Sequence, residues 1–240
     1  MQNLTVLSYN IHECVGLDRR RDPERIARII KESGAEIVGL QEVHSDSSGE
    51  EQLHQMNYLS AATGMQALPG AALERRNGHY GNVLLTSCKI LDVNKLDLSY
   101  VNREPRGAID ADLDIGGEPV RVIVTHLGLR PAERRFQVTK LLTALSEQRT
   151  RVVILLSDFN EWLPTGRSLR WLHTHLGKTA LVRTFPSWFP IFALDRIWVS
   201  PSAALTEICC LRTPLTRVAS DHLPLKANIQ VQSDAGLVVP

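Results

Sequence analysis

The amino-acid sequence predicts one α/β domain in which two mostly antiparallel β-sheets pack face to face, with helices on their outer surfaces. Three observations lead there. The chain has 240 residues, 43% hydrophobic and 22% charged, enough for one substantial core. Its segments run strand, helix, strand, helix, then many strand-like runs with a few inserted helices. Several apolar runs end abruptly in Asn, Glu, Asp or His. Residues 1–231 read as that single domain. Residues 232–240 lack pattern and read as a flexible tail.

Residues 4–10 form the first strand. Asp22, Pro23 and Glu24 open a helix with an N-cap, a proline at the first position and an acidic first turn. Ile26, Ile29 and Ile30 give that helix one buried face, and Gly34 ends it. A second strand starts at Ile37 and ends at Glu42. Residues 44–51, polar and rich in Gly and Ser, read as a loop, 53–63 as a helix and 67–76 as irregular chain. Strands follow at 81–86 and 89–96. Residues 108–115 and 120–125 alternate apolar and polar around Gly116 and Gly117, a hairpin pattern whose second strand delivers His126. Residues 131–149 form the clearest helix, with Phe136, Leu141, Leu142 and Leu145 on one face. Residues 152–156 are wholly apolar, as expected of a strand covered on both faces, and run into Asp158 and Asn160. A helix at 165–176 and strands at 194–199, 204–211 and 223–229 complete the chain.

The formal net charge of +1 argues against a strongly basic surface that wraps DNA regardless of sequence. Arginine supplies 21 of the 27 basic residues, a bias that base composition explains for most of them. Cys14, Cys88, Cys209 and Cys210 show neither a CxxC pair nor metal-ligand spacing and read as small core residues. No segment has the roughly 20 apolar residues that cross a bilayer. With no basic start and apolar stretch ahead of the first strand, the expected compartment is the reducing cytoplasm, and the expected state a monomer.

Four polar motifs carry the chemistry: Leu-Ser-Tyr-Asn10-Ile-His12, Gly-Leu-Gln-Glu42-Val, Leu-Ser-Asp158-Phe-Asn160 and Ala-Ser-Asp221-His222-Leu-Pro. Each ends or follows an apolar run, where an unpartnered polar group is costly. Three of the four supply a carboxylate, and carboxylates that converge repel unless a hard cation sits between them. The pattern suggests a metal site fed by strand ends, with a histidine beside it.

These motifs, in this order and with Ile-Val-Thr-His126 and Leu-Asp195-Arg-Ile between them, resemble the endonuclease/exonuclease/phosphatase superfamily of DNase I, abasic-site endonucleases, inositol-polyphosphate phosphatases and sphingomyelinases. The resemblance runs from Leu4 to about Ile229 and implies a DNase I-like four-layer α/β sandwich. It also implies a Mg²⁺-dependent phosphodiesterase, with Mn²⁺ as a substitute. Glu42 would be the main metal ligand, helped by Asn10 and Asp221. Asp158 would activate or orient the attacking water, and Asn160 would hold a phosphate oxygen. Asp195 and His222 would form a carboxylate–histidine pair. His126 would bond the phosphate or the leaving group. Whether Asp158 or His222 is the base stays open. So does the orienting partner of His126, for which Glu74 is a weak candidate. His12 stands where abasic-site endonucleases carry an aspartate, which leaves a second carboxylate for the metal unassigned.

Arg106 and Arg130 are candidate phosphate contacts, with an exposed ion pair as the plain alternative. Residues 183–192 hold Phe185, Trp188, Phe189 and Phe192 between prolines, an apolar wall that could stack a base, cradle a lipid chain or cover the core. Trp188 is taken as a substrate contact. The substrate expected is a nucleic acid or nucleotide phosphodiester. The alternatives are a phospholipid or sphingolipid headgroup and a non-catalytic phosphate-binding scaffold.

Overall fold

Alternate residues of the strands point into a shared interior, and that alternation builds the centre of this molecule. The computed structural model describes residues 1–46, 54–75, 78–147 and 149–232. The strands are β1 (Gln2–Asn10), β2 (Ile37–Asp46), β3 (Gln66–Arg75), β4 (Gly78–Thr86), β5 (Lys89–Asp97), β6 (Gly107–Ile115), β7 (Glu118–His126), β8 (Val152–Asp158), β9 (Asp195–Ser200), β10 (Leu205–Cys210) and β11 (Leu225–Val231). The helices are α1 (Pro23–Ser33), α2 (Gln55–Thr63), α3 (Pro131–Leu145), α4 (Arg167–Leu176) and the short α5 (Thr216–Ala219).

One sheet has the order β10-β11-β1-β2-β4-β3 and the other β5-β6-β7-β8-β9. The pairs β1–β2 and β7–β8 are parallel, and the remaining neighbours are antiparallel. Three apolar clusters separate four layers. Val6, Ile37, Val122, Val124, Ile154, Leu156 and Ile197 fill the space between the sheets. Ile26, Ile29 and Ile30 of α1 and Leu59 of α2 cover the outside of the first sheet. Val138, Leu141 and Leu145 of α3, with Leu169, Leu172 and Leu176 of α4, cover the second. This is the four-layer sandwich expected from the motifs.

Local signals set the boundaries. Asp22 caps α1 by accepting a hydrogen bond from the Arg25 N–H at 2.9 Å, and Gly34 ends that helix with φ 66°. Gly39 sits where the sheets press together: a Cβ there would lie 2.9 Å from the Leu156 Cβ and 3.1 Å from the Val124 Cγ1. Only a residue without a side chain fits that approach.

Several expectations need correction. Residues 44–46 continue β2 instead of looping, because they pair with β4 beyond a bulge. Residues 67–75 of the stretch expected to be irregular belong to β3: pairing with β4 outweighs the weak propensity of Pro69 and Gly70. Helix α3 stops at Leu145, short of Arg149. Phe136 does not join its buried face. It lies 38% exposed, edge-on to Tyr100, with the Lys140 ammonium over its ring. Residues 233–240, read as a tail, lie outside the described residues. No helix among the described residues is long and apolar enough to cross a membrane.

Candidate active site

The site is the polar end of the rows that form the inter-sheet core. Val124, Leu156 and Ile197 face inward, so His126, Asp158 and Asp195, two residues further towards the same edge, face the same way. Strand register sets them side by side: His126 lies opposite Asp158, and Asp158 opposite Asp195. In the facing sheet, Val6 begins the row that ends at Asn10. Glu42 follows a register shift in β2 between Leu40 and Val43 and has φ 56°. The bulge turns its carboxylate towards the site; such strained positions cluster where function requires them.

Asn10 ties the two sheets together. Its Nδ2 donates to Glu42 Oε1 at 2.9 Å and to Asp158 Oδ2 at 3.0 Å, while its Oδ1 accepts from the His12 N–H at 3.0 Å. The Ser220 hydroxyl donates to the Asn10 carbonyl at 2.7 Å, which anchors the Asp221–His222 segment. His222 Nδ1 donates to Asp195 Oδ2 at 2.7 Å, and the Thr184 hydroxyl donates to the same oxygen at 2.5 Å. The Phe185 ring lies 4.8 Å from the His222 ring, centroid to centroid. Arg196 points to the other face of β9, as expected, and leaves Asp195 to His222. Phe159 turns into the core, edge-on to Trp198 at 4.8 Å, while Asp158 and Asn160 stay on the site side.

Asp158 Oδ2 lies between two imidazoles, 3.5 Å from His126 Nε2 and 3.6 Å from His222 Nε2. The rings carry different charge. Burial works against protonation of His222, but Asp195, Asp158 and Asp221 overcome it and raise the pKa to about 10, so the ring is an imidazolium at neutral pH. Burial, with Arg106 adding to it, lowers the pKa of His126 to about 3, so that ring is neutral.

Arg106 also fixes the His126 tautomer. Its Nη1 lies 3.1 Å from His126 Nδ1, and arginine only donates, so Nδ1 accepts and Nε2 carries the hydrogen. The partner of His126 is therefore an arginine, a role the sequence does not signal. Arg106 itself is buried and gives Nη2 to Glu104 at 3.0 Å, an ion pair like the alternative named for it, but on a buried arginine. The Glu74 side chain lies outside the described residues. Asn160 Nδ2 sits 2.9 Å from His126 Nε2 and donates to the Leu127 carbonyl at 2.9 Å, so two hydrogen-bearing nitrogens converge.

Three of the remaining groups lie further out. Asp221 is partly exposed, its Oδ1 3.3 Å from the Ser220 hydroxyl. Arg130 is exposed just beyond the His126 loop. Trp188 is 58% exposed, so it does not cover the core. Thr184 and Ser220 are supporting residues that sequence reasoning missed, since a threonine or serine beside an aromatic run carries no distinctive pattern, while Phe185 of the apolar wall packs on His222.

The carboxylates outnumber the cations near them. Burial raises the pKa of Glu42, and the charges of Asp158 and Asp221 raise it further against the Asn10 hydrogen bond. Asp158, Asp195 and His222 also bring ligand atoms within 4.8 Å of one another.

A family model for the Endonuclease/Exonuclease/phosphatase family matches residues 7–222, which span all of these groups. The chain belongs to that family. It is 30% identical to the uncharacterised protein YbhP of Escherichia coli K12, over 94% of this chain and 96% of that protein. Its fold is similar to that of an endonuclease/exonuclease/phosphatase from Bacteroides vulgatus, with a TM-score of 0.77 and 19% identity over 97% of this chain and all of that one. It is also similar to the human Nocturnin catalytic domain with a bound sulfate anion, with a TM-score of 0.71 and 20% identity over 96% of this chain and 95% of that one.

Proposed function

We propose that the protein is a divalent-metal-dependent phosphodiesterase. The observation that carries this reading is the placement of Asp158 Oδ2 between a charged and a neutral imidazole and within 3.0 Å of the Asn10 amide. Family membership supports it.

The residues fit a hard cation at Glu42. Its Oε1 is held by Asn10, and the negative charges of Asp158 and Asp221 bear on it with His222 as the opposing cation. The trio of Asp158, Asp195 and His222 is a second group whose ligand atoms converge: His222 Nδ1 and Thr184 hold Asp195 Oδ2, while its Oδ1 is buried without a hydrogen-bond partner. Glu42, Asn10 and Asp221 would hold Mg²⁺ or Mn²⁺, which supplies positive charge for the phosphoryl and departing oxygens.

The side chains divide the remaining work. Asp158 is the base: it takes a proton from water as the water oxygen bonds to phosphorus. His222, which the surrounding carboxylates shift towards the protonated form, donates to a phosphoryl oxygen as negative charge builds there. Asp195 and Thr184 hold its ring. The Nε2–H of His126 and the second hydrogen of Asn160 Nδ2 lie side by side at this edge, and an anionic phosphoryl oxygen would accept from both. The bond from phosphorus to the departing oxygen breaks, that oxygen leaves with the electron pair, and solvent protonates it. Arg130 and Trp188 lie at the entrance, where they contact the rest of the substrate.

A Glu42→Gln variant tests the reading. It should lose the calorimetric signal of Mg²⁺ binding and Mg²⁺-dependent hydrolysis of bis-p-nitrophenyl phosphate together, with its melting temperature kept. Retained hydrolysis in excess chelator would overturn the metal assignment.

A further inference from the structure

Many of the large hydrophobic side chains exposed on this protein gather at the edge that carries the site. Leu17 is 44% exposed, Leu129 64%, Trp162 45%, Phe189 58% and Val218 38%. Three of them lie within three residues of a functional group: Leu129 comes three after His126, Trp162 two after Asn160, and Val218 three before Asp221.

They form a connected arc. Arg134 donates to the Leu129 carbonyl and pairs with Glu161, next to Trp162. Trp162 packs edge-on against Phe185 and Phe192. Trp188 lies against Phe189, its carbonyl accepts from Arg217, and the Leu17 N–H donates to the Val218 carbonyl. Leu17, Trp188, Arg212, Pro214, Arg217 and Val218 line an open groove of about 550 Å³ on this side. A contiguous apolar patch of this kind on a soluble protein marks a binding surface.

Charge identifies what covers it. Arg130, Arg183 and Arg212 are exposed beside these residues and Arg103 on the loop that carries Arg106, and none of the four has a side-chain hydrogen bond or ion pair among the described residues. The nearby carboxylates are spoken for: Asp18 pairs with Arg25, Glu13 with Arg21 and Glu104 with Arg106. The rim is therefore positive and apolar around a negative centre, although the chain as a whole carries only +1. Stacking nucleobases would account for Trp162 and Trp188. It would not account for aliphatic Leu17, Leu129 and Val218 set among arginines. Aliphatic and aromatic side chains beside unpaired arginines suit the headgroup level of an anionic bilayer.

We propose that the catalytic edge docks on an anionic phospholipid surface and that the phosphodiester hydrolysed belongs to a lipid headgroup in it. This rests on the phosphodiesterase reading above and chooses the substrate class within it.

Sedimentation with vesicles tests the proposal. The probes are vesicles of phosphatidylcholine mixed with phosphatidylglycerol, vesicles of phosphatidylcholine alone, and a single-stranded oligonucleotide. The wild type should sediment with the mixed vesicles, roughly tenfold more weakly with the neutral ones, and less as salt rises. The double variant Leu17→Ser with Phe189→Ser should bind mixed vesicles about tenfold less or worse, because both side chains are largely exposed and Phe189 gives up little inside the protein beyond its contact with Trp188. That variant should keep its melting temperature and its hydrolysis of soluble bis-p-nitrophenyl phosphate. Arg212→Glu should weaken vesicle binding and remove part of its salt dependence.

Failure of the wild type to sediment overturns the docking surface, and continued hydrolysis of the soluble diester would then leave the catalytic reading standing. Oligonucleotide binding that the double variant weakens, without vesicle binding, assigns the rim to nucleic acid and also overturns it. Vesicle binding without hydrolysis of any diester supports the surface and removes the catalytic reading alone.

Discussion

Replacing Asp195 by Asn keeps the shape of the site and removes one charge. The amide oxygen can still accept from the Thr184 hydroxyl and from His222 Nδ1, which now lie 2.5 and 2.7 Å from Oδ2. What disappears is the largest influence raising the His222 pKa. With charge centres about 4 Å apart and an effective dielectric near 20, the pair is worth about 4 kcal/mol, or roughly three pKa units. The His222 pKa of about 10 should therefore fall to the neighbourhood of 7. A ring-proton NMR titration of the metal-free protein reads that shift directly. In the phosphodiesterase assay, kcat/KM at mildly alkaline pH should drop by about 10² as the imidazolium is lost. The raised pKa also means that the pair stabilises the fold fully below the ordinary 6.5 and loses that contribution as pH rises through about 10. The variant should thus differ most from wild type in denaturation experiments below neutrality. A His222 pKa unchanged within half a unit, or kcat/KM within about threefold of wild type, would refute the reasoning.

Two further predictions concern the tautomer and the sheet contact. Nitrogen-15 correlation spectra at neutral pH should show His126 with a bare Nδ1 and a protonated Nε2, and the ring should stay neutral well below the ordinary pKa of 6.5, towards about 3. Arg106→Gln should lower kcat/KM by about tenfold and bring the His126 titration closer to the ordinary value; a proton on Nδ1 in the wild type would contradict the arrangement. Gly39→Val places carbon atoms inside the space held by Leu156 and Val124, and urea denaturation should show a loss of about 1–3 kcal/mol. Wild-type stability in that variant would mean that the sheets separate more easily than their packing indicates.

The fold was legible because the strands that build the inter-sheet core are strongly patterned. Residues 152–156 are apolar throughout and became the buried β8, and the run that ends at Asn10 became β1. The helix over 23–33 announced itself through Asp22, Pro23 and Gly34, all of which cap or start it in the structure. Where tertiary pairing overrides local preference, the sequence misled. Pro69 and Gly70 suggested irregular chain, yet β3 forms because β4 offers it a partner. Short α5 carried no periodicity long enough to notice.

The site was legible as a set of residues and less so as a set of partners. Polar side chains at the ends of apolar runs pointed to Asn10, Glu42, His126 and Asp158, because a buried polar group has to be satisfied. Which neighbour satisfies each one depends on register between strands far apart in the chain. Hence the Asp195–His222 pair followed from the family resemblance, whereas Arg106 on His126 and Thr184 on Asp195 emerged only from the geometry.

Hydrolysis of bis-p-nitrophenyl phosphate in Mg²⁺, with and without EDTA, by wild type and an Asp158→Asn variant side by side decides whether Asp158 and a metal act together. Turnover by the wild type is expected, with its loss in EDTA and a fall of at least about 10² in the variant, which retains the size of Asp158 and its place beside Asn10 but has no carboxylate to take a proton. Wild-type turnover that survives EDTA, or a variant as active as the wild type, would contradict that joint action.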